Sequence, residues 1–306
     1  MLSFLARRLL QLLPLLLGIS IMVFLLFQVI PGDPVEILLG VRGTPEMKER
    51  LSVEFGLDQP LAKRLVIFLG QLARGNLGTS FQYKKPVWEV IRAVLPQTLL
   101  LAGTAVILAA LLGITVGIAS AAWRQSWLDY LLTGLSLAAI SVPVFWLGFQ
   151  LQLYLGLRLG LFPISGGGGG INLILPTLAL APGSAGLFAR LTRSTMLEVL
   201  NQDYIRTAKA KGINRLRVLQ KHALKNAFIP IITVIGLSFG DLITGALLVE
   251  VIFARPGLGR LLVDAIKARD YPLIQGIVLL VALGYALVNL TVDLLYAYLN
   301  PQVRYD

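Results

Sequence analysis

Few side chains in this sequence could do covalent chemistry. The chain has no cysteine and a single histidine, His222. Thiol catalysis, disulfides, thiolate metal sites, imidazole clusters for zinc and Ser-His-Asp triads therefore lack their parts. Asp241 lies within one apolar stretch and Asp293 just past the end of another, near different faces of the membrane, so the paired aspartates at matched depth of an intramembrane protease are not supplied either. Gly166 to Gly170 is not followed by the Lys-Ser or Lys-Thr of a Walker phosphate loop, which removes that route to ATP. What remains is the chemistry of docking. Asp203-Tyr204-Ile205-Arg206-Thr207-Ala208-Lys209-Ala210-Lys211-Gly212 predicts a short basic helix, with Asp203 accepting the free N–H groups of its first turn and Gly212 ending it in a left-handed conformation. Asn214 is placed to cap a second helix, from Arg215 toward Lys225, that leads into an apolar stretch. A push on the first helix would enter that stretch through a turn of a residue or two. The lysines suit either anionic lipid headgroups or a water-soluble partner.

The elements that position this insert belong to a membrane protein. Hydrophobic residues make up 56% of the sequence, charged residues 14%, and the mean hydropathy is +0.78. A water-soluble fold of this length could not hide so much apolar surface. A bilayer-spanning helix needs about 20 apolar residues. Stretches 9–30, 98–123, 130–157, 171–189 and 271–292 are free of Asp, Glu, Lys and Arg, and 226–249 is interrupted only by Asp241. We therefore expect an all-α polytopic protein of six transmembrane helices. A barrel is excluded because the runs are continuous rather than alternating. Stretch 9–30 exceeds a signal h-region and lacks a small-residue cleavage site, so it is expected to stay attached.

An even number of spans puts both termini on one side. The 27 Lys and Arg residues split almost evenly across the bilayer, but most on the side away from the termini belong to one long segment, which translocates regardless of charge. The expected organisation is an N-terminal span in 1–30, an extracytoplasmic segment 31–97, and a five-helix core 98–306 that includes the cytoplasmic loop 198–225, with both termini cytoplasmic.

In segment 31–97 three short surface helices are expected. Thr44 caps the first, which Gly56 ends. Pro60 and Gly75 bracket the second, with Leu61, Leu65, Phe68, Leu69 and Leu72 on one stripe, and Pro86 starts the third. The glycine run is expected to be a flexible connector. The third outer loop, with a Pro-Gly turn and an amphipathic run through Leu262, Ile266 and Arg269, is expected to face a ligand-delivering partner with Arg255, Pro256, Gly257 and Asp270. Within the spans, Ser238, Asp241, Thr244 and Gly245 form one polar stripe, and Tyr285, Asn289, Asp293 and Tyr296 another; such positions face protein or water rather than lipid. Phe145, Ser238, Asp241, Thr244, Tyr285 and Asn289 are the candidate pathway residues, though a helix–helix hydrogen bond would equally account for each polar one. Pro143, Pro176 and Pro182 are candidate kinks. His222 reads as an interfacial residue at the membrane border.

Tyr204 to Gly212, followed by His222-Ala223-Leu224-Lys225-Asn226-Ala227 and Pro230, resembles the EAA loop of inner-membrane permeases from binding-protein-dependent ABC importers, in the dipeptide and oligopeptide branch. The resemblance covers nearly the whole chain. It extends through Pro31-Gly32-Asp33-Pro34, Phe55-Gly56-Leu57-Asp58-Gln59-Pro60-Leu61, Pro143-Val144-Phe145-Trp146-Leu147-Gly148, Pro256-Gly257-Leu258-Gly259-Arg260, Arg269-Asp270-Tyr271-Pro272 and Asn300-Pro301-Gln302-Val303-Arg304. Arg206-Thr207-Ala208 stands where the general pattern has Glu-Ala-Ala, and the proline is delayed to Pro230, changes that the peptide branch shares. Asp241, within a span expected to be small or apolar, is a departure.

The resemblance implies a type I ABC importer permease fold, in a bacterial or archaeal inner membrane. It implies a second, homologous permease, two ATPase subunits docked on Asp203 to Gly212, and an extracytoplasmic solute-binding protein. ATP and Mg would sit on the ATPases, with no cofactor or metal on this chain, no nucleic-acid partner and no catalysis by it alone. Dipeptides, oligopeptides, glutathione and nickel chelates are all substrates that these motifs admit. A standalone carrier or channel is the rival class; a carrier would show inverted repeats and would not need the basic helix.

Overall fold

The structure is a computed structural model that describes residues 2–29, 44–54, 58–214 and 217–299. The motif Pro31 to Pro34, the helix end at Gly56, Arg215 and the terminal Asn300 to Arg304 lie outside the described residues. Among those described, the helices are α1 (Leu2–Val29), α2 (Pro45–Glu54), α3 (Leu61–Ala73), α4 (Val87–Ala122), α5 (Trp127–Ser141), α6 (Val144–Leu151), α7 (Ile171–Leu200), α8 (Asp203–Ala210), α9 (Lys225–Ile252), α10 (Leu258–Lys267) and α11 (Tyr271–Leu299), with π-helical segments at Gln152–Arg158 and Val218–Leu224. Four of them, α4, α7, α9 and α11, are long and apolar enough to cross a membrane, and the pair formed by α5 and α6 makes a fifth candidate. The apolar part of α1, Leu10–Leu25, is shorter.

Two corrections concern the expected elements. Stretch 130–157 is not one straight helix: Ser141 ends α5, Val142 is extended, and the chain resumes at Val144 bent by 98°. Pro143 is the cause, because its ring forces the preceding residue out of the helical region and it has no N–H to offer. By contrast Pro176 and Pro182 leave α7 uninterrupted over 30 residues. The third helix of the outer segment is no separate element either, since α4 runs from Val87 through Pro96 to Ala122.

The chain divides into two compact units. One comprises residues 1–96 and 256–286. In it Phe24 of α1 stacks on Phe68 of α3 with centroids 5.7 Å apart, and Leu65, Phe68, Leu69 and Leu72 of the expected stripe are half-buried while Leu61 is exposed. Thr44 accepts from Met47 N as the expected cap. The start of α11 packs on the start of α4: a Cβ added to Gly276 would lie 2.5 Å from Val87 Cγ1. On α10 the buried positions are Leu258, Leu261 and Ala265, and Ile266 is exposed. The helix is therefore amphipathic, with Ile266 on its open face.

The other unit comprises 97–255 and 287–306. Its core is Leu101, Ala105 and Ala109 of α4, Leu175, Ala179, Ala181 and Phe188 of α7, and Ala246 and Val249 of α9. Here α7 is the central helix. Gly113 and Gly117, one turn apart on α4, face Ala185, Phe188, Ala189 and Thr192, while Gly186 on the other side of α7 faces the Ser136 carbonyl of α5. Small residues four apart let helix backbones approach closely enough for extensive van der Waals contact, which is what associates helices in lipid. The glycine run is less free than expected: Gly166 N donates to Phe253 O at 3.3 Å, and Asn172 donates to Gly167 O.

A methyl group at Gly117 would lie 2.4 Å from Thr192 Cβ and 2.6 Å from Ala189 O, so Gly117→Ala is expected to cost about 1–3 kcal/mol by overpacking. Its thermal unfolding midpoint should fall below that of Gly103→Ala, whose added Cβ meets nothing within 4 Å. Equal midpoints would show that α4 and α7 separate without penalty.

Candidate functional site

The basic insert forms a helical hairpin at the end of α7. After Leu200 a two-residue turn at Asn201 and Gln202 leads into α8. The first hydrogen bonds of α8 are Ile205 N and Arg206 N donating to Gln202 O. Asp203 is thus the first helical residue rather than the cap: its carboxylate stands in the positive first turn, where the helix dipole favours it, and accepts from Arg206 Nη1 at 3.2 Å. At the other end Gly212 has φ +76°, and Ile213 N reaches back to Ala208 O at 3.3 Å, the six-to-one bond of a Schellman turn that only a left-handed residue permits. An added Cβ there would meet nothing within 4 Å. The glycine is required by backbone conformation alone.

One face of α8 is buried and the other is open. Ile205 and Ala208 are buried, whereas Tyr204, Arg206, Thr207, Ala210 and Lys211 are exposed. The returning arm is π-helical over Val218–Leu224, not α-helical, and runs into α9 without a break. It packs through Leu219 and Ala223 against Ala121 of α4 and Met196 of α7, joined by Ala227 and Ile231 of α9. A second link crosses the hairpin: Asn226 Nδ2 donates to Tyr204 Oη at 2.7 Å. The exposed basic edge is therefore fixed to α7 behind it and to α9 ahead of it.

Beside the hairpin lies a buried ionic site that the sequence reading passed over. Asp129, in the first turn of α5, is 2% exposed. Its two oxygens accept from Nε and Nη2 of Arg193 on α7, both at 2.8 Å, from Gln125 N at 2.9 Å, and from the hydroxyl of Ser120 at the end of α4. Ser126 caps α5 by accepting from Asp129 N. Asp129 is buried while the Arg193 side chain is 32% exposed, so removing the arginine would strand a buried carboxylate at a cost that solvent around the guanidinium keeps below the ~3–5 kcal/mol of a fully buried pair. The signal available in sequence was an acidic residue three positions after Ser126 at a helix start, and an arginine inside an apolar run's continuation.

The candidate pathway residues divide. On α9, Asp241 and Thr244 are exposed one turn apart on a face continued by Leu237, Leu248 and Val251. Ser238 is buried, so it leaves the expected stripe, and Gly245 faces Leu180. Phe145 is exposed at the start of α6 and Tyr285 is exposed on α11. Asn289 is half-buried, and its Oδ1 has no hydrogen-bond partner among the described residues.

The residues expected to face a binding protein need correction. Arg255 and Asp270 are fully buried, so neither side chain is offered to a soluble partner. Arg255 Nη2 donates to Gln97 Oε1 at 2.8 Å; burial pulls its pKa down and the charge of Glu250 opposes that. Asp270 caps α11 by accepting from Leu273 N, and accepts also from Ser80 Oγ and Gln82 N. Of the four residues only Pro256 is exposed; Gly257 is buried. Among the described residues no cluster of His, Asp and Glu could hold a metal.

With this geometry established, comparison with known proteins places the chain. Residues 113–305 match the family model described as binding-protein-dependent transport system inner membrane component, and residues 1–102 match the model for the N-terminal part of such membrane components. The chain is 43% identical over 305 residues to the glutathione transport system permease protein GsiC of Salmonella paratyphi A, covering 100% of both chains. It is 42% identical over 337 residues to the dipeptide transport system permease protein DppB of Escherichia coli K12, covering 100% of this chain and 99% of that one. Among solved structures it resembles two inward-facing crystal forms of the MetNI methionine ABC transporter. Their TM-scores are 0.57 and 0.60 at 16% and 15% identity, over 67% and 68% of this chain and 93% and 95% of those.

The hairpin geometry can be tested without any partner. Because the chain lacks cysteine, cysteines introduced at Tyr204 and Asn226 should be joined efficiently by a short bismaleimide. Joining should survive Gly212→Asn, since asparagine tolerates a left-handed backbone, and fall severalfold with Gly212→Val, since a β-branched residue does not. Undiminished joining in the valine variant would show that the turn does not set the hairpin.

Proposed function

The chain belongs to the family of binding-protein-dependent transport system inner membrane components, and from that premise we propose how it works as the permease subunit of an ABC importer of peptides. The observation that carries the substrate class is full-length identity above 40% to permeases named for dipeptide and for glutathione transport. Both substrates are peptides with a free amino group and carboxylates. The chain is a multi-pass inner-membrane transport component and is not catalytic on its own; partner ATPase and binding-protein components supply energy and solute.

The hairpin is the docking element in this reading. Its exposed edge of Tyr204, Arg206, Thr207 and Lys211 meets an ATPase subunit, and its buried edge of Ile205 and Ala208 holds it to the permease. Two ATPases with ATP and Mg, and a second, homologous permease, complete the assembly. Closure of the ATPases on ATP moves α8, and the continuous connection from Val218–Leu224 into α9 carries that movement to the face bearing Asp241 and Thr244. That face lines the pathway. An ionised carboxylate facing lipid would cost about 2.5 kcal/mol or more, which favours a water-filled or partner-covered position where it meets a peptide's ammonium group. On the outer side Pro256 and the exposed part of α10 are the surface left for the binding protein.

With α1 counted as a span, six spans put both termini and residues 198–225 in the cytoplasm. Single cysteines at Gln59 and Gly168 should react with an impermeant thiol reagent added outside intact cells, and one at Lys209 should not. The opposite pattern would invert the orientation.

Transport itself is tested by ATP-dependent uptake of labelled dipeptide and glutathione into vesicles containing the whole importer. Asp241→Asn keeps shape and hydrogen-bonding capacity but removes the charge. Uptake is expected to fall about tenfold, equivalent to about 1.4 kcal/mol, with ATPase subunits still bound. Wild-type uptake of every substrate carried would remove Asp241 from the pathway.

A further inference from the structure

We propose that the Asp129–Arg193 pair is a positioning element of coupling: it makes the hairpin-proximal ends of α4, α5 and α7 move as one body with the docking hairpin. The proposal rests on the reading of residues 203–212 as the ATPase-docking element. Four observations carry it. First, the pair is bidentate, with both Arg193 bonds at 2.8 Å, and a planar guanidinium fork on a carboxylate fixes orientation as well as distance. Second, the same carboxylate accepts from Ser120 and Gln125 N, so one side chain joins the end of α4, the following turn, the start of α5 and α7.

Third, the site lies where a force from the hairpin would arrive. Arg193 is two turns before Leu200, the last residue of α7, and the hairpin begins at Asp203. Met196, between them, is fully buried against Leu219 and Ala223 of the returning arm and Ala121 of α4. Fourth, among the described residues the fork is an ion pair that joins α5 to α7, whereas the cluster just named is apolar and its dispersion contacts are non-directional. Without the fork, movement of α8 would bend the last turns of α7. With it, α7 carries α4 and α5 along, and the α9 face follows through the shared core of α7 and α9. The interaction is thus retained for geometry; a buried pair is seldom the most stable choice for its site.

The test uses the purified importer, with all its subunits, in nanodiscs. A bimane fluorophore on a single cysteine at Leu248, exposed on α9, reports the response to ATP plus orthovanadate. The double variant Asp129→Asn/Arg193→Gln removes both charges, so no unpaired ion is buried, yet loses the fork. The nucleotide-driven emission change is expected to fall at least threefold while the ATPase subunits remain bound and hydrolyse ATP. Arg193→Lys, which keeps the charge without the bidentate geometry, should give an intermediate loss that a purely structural ion pair would not. An unaltered response in the double variant overturns the proposal, and so does failure of both variants to assemble, which would assign the pair to folding. If the double variant fails to assemble, Arg193→Lys decides: a normal response overturns the proposal, a reduced one supports it. Gly212→Val separates the two readings. If it abolishes the response and the pair variants do not, only the role of the pair is lost; if it too has no effect, or the unsubstituted complex does not respond, the docking reading fails and the proposal with it.

Discussion

Lipid gives helices no hydrophobic reason to associate, so the fold of residues 97–255 depends on how closely α7 can approach its neighbours. Glycines on α4 and on α7 itself solve this. Gly113 and Gly117 admit α7 on the α4 side, and Gly186 admits the backbone of α5 on the other. Dispersion forces fall off steeply with separation, and a gap of 0.5–1 Å forfeits about a quarter to a half of each contact. Larger residues at these points would not merely crowd the interface. They would remove the short distance that makes packing in a bilayer favourable.

That arrangement fixes where polar groups can go. Asp129 and Arg193 stand on α5 and α7, the two helices brought together at Gly186, and the fork between them is satisfied by Ser120 and Gln125 from the α4 end. In a low-dielectric setting a fully satisfied network stiffens its surroundings, and a partly satisfied one is costly. The same logic governs the outer loops. Asp270 and Arg255 resemble ligands for a soluble partner when seen as charges in a loop, but each is spent on holding the loop itself, Asp270 through three donors and Arg255 through Gln97.

Rigidity at these points contrasts with irregular backbone elsewhere in the chain. Val142 and Pro143 break the third apolar stretch by 98°, and π-helical turns occupy Gln152–Arg158 and Val218–Leu224. The second of these lies between α8 and α9. A π turn leaves hydrogen bonds less well formed than an α turn and is concentrated at functional sites, which suits a segment that passes movement from one element to another.

The apolar stretches, the basic helix and the glycine that ends it were legible in the sequence because each depends on local chemistry: run length against bilayer thickness, charge on a short helix, and the positive φ that Gly212 supplies there. Family membership was legible for a related reason, since ordered short motifs survive along the whole chain. Helix faces were read less well. Ser238 falls on the expected polar stripe by spacing but is buried, because a 100° periodicity gives relative angles on a helix and not which neighbour it meets. The break at Pro143 and the uninterrupted passage of α7 through Pro176 and Pro182 likewise depend on whether packing restores what a proline removes. Asp129 and Arg193 are 64 positions apart. No local signal pairs them, and only the close approach of α5 and α7 turned two isolated charges into one site.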